Sequence, residues 1–132
     1  MIFLPDTNVW IRFLNPIENP VKDRFLAADP STICLCAVVK AELFFGAMKS
    51  SRLLENIALL DALFANFESL SFDDDAARRY GEIRSDLVRK GTPIGPNDLM
   101  IAAIASVHQA TLVTHNTREF GRITGLIIED WE

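Results

Sequence analysis

The chain has 132 residues, of which 49% are apolar and 23% charged, a balance typical of one globular domain. No apolar run approaches the roughly 18 residues of a membrane span, and the first residues, Met1 to Asp6, lack the basic region of a signal peptide. We therefore expect a cytoplasmic protein with no membrane segment. A net charge of −5 argues against nucleic-acid binding, unless bound cations reverse the sign of an acidic cluster.

The first half of the chain predicts two strands and four helices. In order, these are a strand at residues 2–4, helices at 9–14 and 20–28, a strand at 32–36, and helices at 37–48 and 52–64. Thr7 and Asn8 are positioned to cap the first helix. The second helix is expected to turn Val21, Phe25 and Leu26 toward the core.

The second half predicts three strands and two long helices. In order, these are a strand at residues 67–72, helices from 74 to about 90 and from 96 to 107, and strands at 111–114 and 126–128. Asp73 is expected to cap the first of these helices and Gly91 to end it. Pro96 suits the first position of the second helix, whose apolar composition predicts burial.

Strands that alternate with helices in this way imply right-handed crossovers and a parallel sheet covered on both faces. The sequence therefore predicts an α/β fold with a central, mostly parallel sheet flanked by helices, an α/β/α sandwich. No repeat, low-complexity tract or linker interrupts it, so we expect residues 1–132 to form a single domain.

Several polar side chains fall where α/β sheets collect their ligands, outside the carboxyl ends of the strands. Asp6 follows the first strand, and Asp98 lies in the first turn of the buried helix. Asn116 follows the strand ending at Thr114, with Glu119 close behind. Ordinary structural explanations stay open: Asp6 as a cap or turn acid, and Asp98 as an acid favoured by the helix dipole.

Glu42 is unusual because it lies inside an apolar helix, between Ala41 and Leu43. An ionised carboxylate there needs a partner, a hydrogen bond or a metal ion. The structural alternatives are an ion pair with Lys40 or Arg52, or projection into solvent.

Together these acids indicate a cation site. Carboxylates within ~4 Å of one another repel by about 4 kcal/mol per pair at an effective dielectric near 20, so such a cluster favours a bound cation. An all-oxygen donor set suits Mg²⁺, with Mn²⁺ as the alternative. Because such an ion can activate water and orient a phosphate, the set predicts phosphodiester hydrolysis.

The two cysteines, Cys34 and Cys36, are two positions apart in a predicted strand. This spacing does not suit a disulfide, so we expect buried free thiols. His108 and His115 do not complete a zinc pattern with them.

Short motifs occur in order along nearly the whole chain. They are Asp6-Thr7-Asn8; Ala41-Glu42-Leu43 with Gly46-Ala47; Thr92-Pro93-Ile94-Gly95-Pro96-Asn97-Asp98 leading into Ile101-Ala102-Ala103; Leu112-Val113-Thr114 with Asn116-Thr117-Arg118-Glu119-Phe120; and Glu129-Asp130-Trp131. In this order and at these spacings they resemble the VapC-type toxins, small PIN-domain ribonucleases of bacterial and archaeal toxin–antitoxin pairs.

The resemblance implies a metal pocket lined by Asp6, Glu42 and Asp98. Asp6 and Asp98 would be direct ligands, and Glu42 would act through a metal-bound water or by placing the nucleophile. Many PIN domains carry a fourth acid just after the next strand, where this sequence has Asn116, with Glu119 one helical turn further on. This departure from the family pattern argues against a tight, permanently occupied two-metal site, and we expect one well-held Mg²⁺ with a second recruited by RNA.

Three neutral side chains accompany these acids. Thr7, Asn8 and Thr114 are candidates for orienting the carboxylates or a phosphate. Local capping and turn hydrogen bonds are the alternative.

The resemblance also implies partners. A cognate VapB-like antitoxin is expected to cover the pocket, with Phe44, Phe45 and the helix at 52–64 as a candidate apolar groove. The implied substrate is structured RNA, tRNA among the candidates, and a homodimer is typical of the family. The cations available for RNA phosphates are Arg12, Lys49, Arg52, Arg84, Arg89, Lys90, Arg118 and Arg122.

The expected function is therefore a Mg²⁺-dependent endoribonuclease toxin that its antitoxin inhibits. Two alternatives stay open. One is a PIN-domain nuclease that acts on DNA or flaps, and the other is a catalytically silent co-repressor or binding module.

Overall fold

The computed structural model describes all 132 residues, and strands alternate with helices along the chain. The strands are β1 (Phe3–Pro5), β2 (Cys34–Cys36), β3 (Glu68–Leu70), β4 (Thr111–Val113) and β5 (Ile128–Glu129). The helices are α1 (Thr7–Leu14), α2 (Pro20–Ala27), α3 (Ala37–Met48), α4 (Leu53–Phe64), α5 (Asp74–Arg89), α6 (Pro96–Val107) and α7 (Thr117–Phe120). None of these helices has the length and apolar character that crossing a membrane requires.

Every strand pair is parallel. β1 pairs with β4, β4 with β5 and β2 with β3, and a parallel bridge between Phe3 and Ile33 joins the two groups. The order across the sheet is therefore β3-β2-β1-β4-β5. This confirms the predicted α/β fold with a parallel sheet flanked by helices. After β1 the chain forms β2 and β3 on one side of this strand and then β4 and β5 on the other. The carboxyl end of β1 is therefore the switch point at which such sheets bind ligands.

Helix α6 is the most buried helix and has the predicted bounds. Its buried side chains are Leu99, Ile101, Ala102, Ala103, Ile104 and Ala105. Pro96 occupies the first turn, where its missing N–H is no loss. Since α6 packs against α5, α3 and β4, its amino-terminal turn has a fixed position at the edge of the sheet.

The ends of α5 are also as predicted. The Asp73 side chain accepts a hydrogen bond of 2.9 Å from the Ala76 N–H. At the other end Gly91 has a φ of +70°, and the Thr92 N–H donates to the Leu87 carbonyl at 2.9 Å. This pattern is a Schellman motif, which needs a residue in the left-handed region and therefore favours glycine.

The prediction that Leu26 faces the core is wrong. Val21 and Phe25 are buried on α2, but Leu26 is 78% exposed. Val21 and Phe25 are four residues apart and share one helix face, whereas Leu26 is turned about 100° away from Phe25. The buried face of α2 is thus narrower than its apolar composition suggested.

The core includes an aromatic cluster that joins distant parts of the chain. Trp131 is 3% exposed, and its ring centroid lies 5.3 Å from that of Phe3 and 5.4 Å from that of Phe25. Trp10 is buried beside Phe25 as well, at 5.0 Å. The segment after β5 is therefore anchored to β1 and α2.

Cys34 and Cys36 are buried free thiols, as predicted. Burial raises the pKa of Cys36 above its ordinary value, which keeps its thiol protonated at neutral pH.

Candidate functional site

Asp6 joins β1 to α1. Its backbone N–H donates to the Val113 carbonyl at 2.9 Å, which extends the β1–β4 pairing by one bond. Its side-chain Oδ1 accepts a hydrogen bond of 3.0 Å from the Val9 N–H, so Asp6 is the cap of α1. The predicted cap, Thr7 and Asn8, is wrong because the helix begins at Thr7. Asp6 serves as a helix cap and also faces the pocket described below.

Asp6 is only 6% exposed. Burial raises its pKa above the ordinary value, hydrogen bonds from Thr114 and Val9 lower that pKa, and the charge of Glu42 raises it. Thr114, at the end of β4, is fully buried. Thr114 therefore favours the ionised form of Asp6, while its role in orienting the carboxylate stays a prediction.

Glu42 projects from α3 toward the start of α1. The Thr7 Oγ1 donates a hydrogen bond of 2.6 Å to Glu42 Oε1. Neither of the alternative ion pairs of Glu42 forms: Lys40 lies over the Phe64 ring, and Arg52 pairs with Glu55. This hydrogen bond thus ties Glu42 to Thr7, the residue that follows Asp6.

Asp98 lies in the first turn of α6 and is half-buried. The pKa of Asp98 is raised to about 6, first by burial and then by the charges of Asp6, Glu42 and Glu119, in that order. Asp98 therefore feels the charges of three carboxylates from other parts of the chain, and this set of four acids is called the carboxylate pocket below.

Asn116 and Glu119 form the remaining side of this pocket. The Asn116 Nδ2 donates to Glu119 Oε2 at 2.7 Å, and the Asn116 N–H donates to Thr114 Oγ1 at 3.0 Å. Helix α7, which carries Glu119, was not predicted as a helix. The charges of Asp6, Glu42 and Glu119 thus act on Asp98, and Asn116 holds Glu119 by a hydrogen bond. The catalytic and metal-binding roles of these five residues stay predictions.

The donor chemistry of the pocket fits a hard divalent cation. None of Asp6, Glu42, Asp98 and Glu119 pairs with a lysine, arginine or histidine, so their mutual repulsion is uncompensated. No three acid, histidine or cysteine side chains converge tightly enough to form a complete ligand cluster. The charges of Asp6, Glu42 and Glu119 act on Asp98 without such a cluster, and Mg²⁺ usually keeps several waters and binds through only one or two carboxylates.

Two cavities flank the acids. A cavity of about 380 Å³ is lined by Asp6, Asn8, Val9, Arg12, His115, Asn116 and Glu132. A cavity of about 540 Å³ on the other side is lined by Thr7, Asn8, Ile11, Ala41, Glu42, Phe45, Gly46, Lys49 and Asn97. The sequence did not predict that His115 or Glu132 lies beside Asp6. For two other residues of this cavity, Asn8 and Arg12, a local signal was available: their four-residue spacing puts both on one face of α1.

Comparisons with known proteins agree over almost the whole chain. The PIN domain family model matches residues 3–126. The tRNA(fMet)-specific endonuclease VapC of Salmonella typhimurium is 40% identical over 129 residues, which cover 98% of this chain and 97% of that protein. Ribonuclease VapC2 of Rickettsia felis is 38% identical over 133 residues, covering 100% and 99%.

Solved structures agree as well. The VapBC2 structure from Rickettsia felis, bound to a promoter DNA fragment, superposes with a TM-score of 0.91 at 38% identity and covers 100% of both chains. The DNA-bound VapBC structure from Salmonella typhimurium gives a TM-score of 0.92 at 39% identity and covers 100% of this chain and 99% of that one.

Proposed function

The chain belongs to the PIN domain family, and from this premise we propose that it is a Mg²⁺-dependent endoribonuclease, the toxin of a type II toxin–antitoxin pair. Residues 1–132 act as one catalytic domain. The observation that carries the proposal is the carboxylate pocket at the switch point of the sheet, where Asp98 has a pKa of about 6 because of burial and three neighbouring acids. An enclosed excess of negative charge with no cationic partner favours a bound metal ion.

The roles follow from the positions of the side chains. Asp6 and Asp98 hold Mg²⁺, with Mn²⁺ as the alternative, and the cation supplies electrostatic stabilisation of the phosphate and activation of water. Glu42, fixed by Thr7, orients the attacking water. Glu119, held by the Asn116 amide, adds a negative charge that helps to recruit a second cation together with RNA.

The first experiment measures cleavage of a structured RNA by the purified, antitoxin-free protein. We expect cleavage with Mg²⁺ and none with EDTA, and we expect added Mn²⁺ to restore it. Asp6→Asn should lower the rate by at least about 100-fold. Asparagine caps helices about as well as aspartate, so α1 should stay folded in this variant.

The matched control is Asp73→Asn, which changes a helix cap outside the pocket in the same way and should cut at the wild-type rate. Equal cutting by Asp6→Asn and Asp73→Asn would refute the assigned site. Cleavage of DNA in place of RNA would favour the DNA nuclease alternative, and binding without cleavage would favour the silent module.

A second prediction concerns the hydrogen bond between Thr7 and Glu42. Thr7→Val keeps the branched shape but removes the donor, so Glu42 loses its fixed orientation and the cleavage rate should fall by about 10-fold. Thr7→Ser keeps the donor and should retain most of the activity. Single-turnover cleavage rates, with circular dichroism to check folding, make the comparison. Wild-type rates in Thr7→Val would show that Glu42 does not need this bond.

The partners of the proposed toxin follow from its surface and its relatives. A VapB-like antitoxin is expected to lay an apolar segment into the groove of about 320 Å³ lined by Ile11, Leu14, Glu42, Leu43, Gly46, Ala47, Asn56, Leu59 and Leu60. Ile11, Phe45 and Leu59 are exposed at this groove or beside it, so free protein leaves apolar surface uncovered. The predicted groove residue Phe44 instead packs inward against Phe64.

The substrate, oligomeric state and cellular location complete the proposal. The relative from Salmonella typhimurium is named as specific for tRNA(fMet), which makes a tRNA the first structured RNA to test. We also propose that the toxin forms a homodimer and acts in the cytoplasm.

A further inference from the structure

A two-point ion pair closes one end of the cavity beside Asp6. The Arg12 Nε lies 2.6 Å from Glu132 Oε1, and the Arg12 Nη2 lies 3.2 Å from Glu132 Oε2. Both side chains line the cavity that also contains Asp6 and Asn116. Parallel hydrogen bonds of this kind are how a guanidinium group binds a carboxylate and, with the same geometry, a phosphate.

Arg12 is the one lysine or arginine in the lining of this cavity. An RNA phosphate that approaches Asp6 meets several negative charges and needs a cation to offset them. In the free protein the charge of Arg12 is already offset by Glu132. The cavity therefore contains a guanidinium group that could bind a phosphate, but the N–H groups that would do so are occupied by the Glu132 carboxylate.

The pair is not needed to hold the last residues in place. Trp131 is buried against Phe3 and Phe25, and Arg24 pairs with Glu129. The Glu132 N–H also donates to Asp130 Oδ1 at 3.0 Å. These contacts fix the backbone beside the cavity without Arg12, so opening the pair would require movement of only the Glu132 side chain, of which 22% is exposed.

We propose that Arg12 binds a phosphate group of the RNA substrate next to the carboxylate pocket, and that Glu132 masks Arg12 until that phosphate displaces it. The inference rests on the proposed function, because it takes RNA as the substrate. The exchange conserves the hydrogen bonds of the guanidinium group, and an exposed ion pair of this kind contributes little to folding. Glu132 therefore acts as an internal competitor of RNA.

The test is the binding of a fluorescently labelled structured RNA, measured by anisotropy in EDTA so that cleavage plays no part. Glu132→Gln should tighten binding about three-fold, since it removes a competing exposed charge pair. Arg12→Gln should weaken binding about ten-fold, the effect of losing one charge-assisted contact. In the Arg12→Gln background, Glu132→Gln should have no effect.

The salt dependence separates a phosphate contact from a structural role. Arg12→Gln should reduce the slope of log affinity against log salt concentration by about 0.7 to 0.9, whereas a folding defect would leave this slope unchanged. Arg12→Lys keeps the charge but loses the two parallel hydrogen bonds of the guanidinium group, so it should bind RNA with intermediate affinity and keep the wild-type slope. If Arg12→Gln fails to fold, Arg12→Lys replaces it in the affinity comparison.

The control is Glu129→Gln, which removes the same charge from the same segment but outside this cavity. It should change the affinity less than two-fold. Equal tightening by Glu129→Gln and Glu132→Gln, or tightening by Glu132→Gln that persists without Arg12, overturns the masking proposal. So does an effect of Glu132→Gln on antitoxin binding alone.

The cleavage assay distinguishes the two proposals. If the wild type cleaves RNA but the Arg12 and Glu132 variants do not show the expected changes in affinity, only the masking proposal is refuted. If those changes occur but no RNA is cleaved, the nuclease proposal is refuted and an RNA-binding site remains.

Discussion

Replacing Asp98 by asparagine is expected to reduce RNA cleavage at least about 100-fold and, in the absence of divalent cations, to raise the stability of the protein. The pKa of Asp98 is raised from 3.8 to about 6, first by burial and then by the charges of Asp6, Glu42 and Glu119. Its ionised form is therefore disfavoured in the folded state. Asparagine removes the charge and keeps the size of the side chain.

The sign of the pH dependence follows from proton binding. Between pH 3.8 and about 6 the folded state holds a proton on Asp98 that the unfolded state has lost, so the contribution of Asp98 to stability falls as the pH rises. Above about pH 6 the full penalty is present. Solvent screening and the lost interaction with the helix dipole reduce the gain from Asp98→Asn to about 1 kcal/mol at pH 8, and to nearly nothing at pH 4.

Urea unfolding in EDTA at pH 4, 6 and 8 measures this gain. Asp86→Asn is the control, because Lys90 holds the pKa of Asp86 below its ordinary value, and removal of that charge should shift stability slightly the other way. Added Mg²⁺ should stabilise the wild type and have little effect on Asp98→Asn. If Asp98→Asn is no more stable than the wild type at pH 8, the acids do not repel in the way the geometry indicates.

Replacing Trp131 by alanine is expected to lower the free energy of unfolding by about 3–5 kcal/mol. The indole is buried against Phe3 and Phe25, and the Arg24 guanidinium lies 5.2 Å from its ring centroid. Loss of this side chain leaves a cavity between the first strand and α2. A domain of this size has a total stability of only about 5–15 kcal/mol, so the variant should be marginal at 37 °C.

Trp131→Phe is the matched variant for this prediction. This variant keeps an aromatic ring but loses the hydrogen bond of 3.0 Å from the indole N–H to Glu129. Loss of that bond should lower the free energy of unfolding by about 1 kcal/mol beyond the effect of a conservative core change. Urea midpoints and slopes compare the two. A loss below about 1 kcal/mol in Trp131→Ala would mean that the last residues are not part of the core.

Local sequence signals were sufficient for several elements. The bounds of α3 and α6 were predicted correctly: both are apolar helices, and α6 also has a start signal in Pro96. Asp73 and Gly91 were recognised from the chemistry of caps alone. Helix α7, by contrast, has only four residues, too few to show a helical period. The family prediction is confirmed by the match of the PIN domain model to residues 3–126.

The contacts that build the site were beyond local signals. The bond between Thr7 and Glu42 joins residues 35 apart, and the pair of Arg12 and Glu132 spans 120 positions. Such contacts depend on how elements pack, which spacing along the chain does not encode. The start of α1 was predicted at residue 9, two residues after its actual start at Thr7; the alternative that Asp6 is a cap acid is the correct one.

The order of the strands has a consequence for how the protein is made. β1 leaves the ribosome more than a hundred residues before its partner strand β4, with Phe3 opposite Thr111. Parallel pairing over such a separation forms late. Asp6 therefore cannot take its place in the sheet, near Asp98 and Glu119, until the chain has been translated through β4 and α7. The carboxylate pocket is thus absent from the nascent chain while the preceding residues are made, and the antitoxin has no pocket to cover before that point.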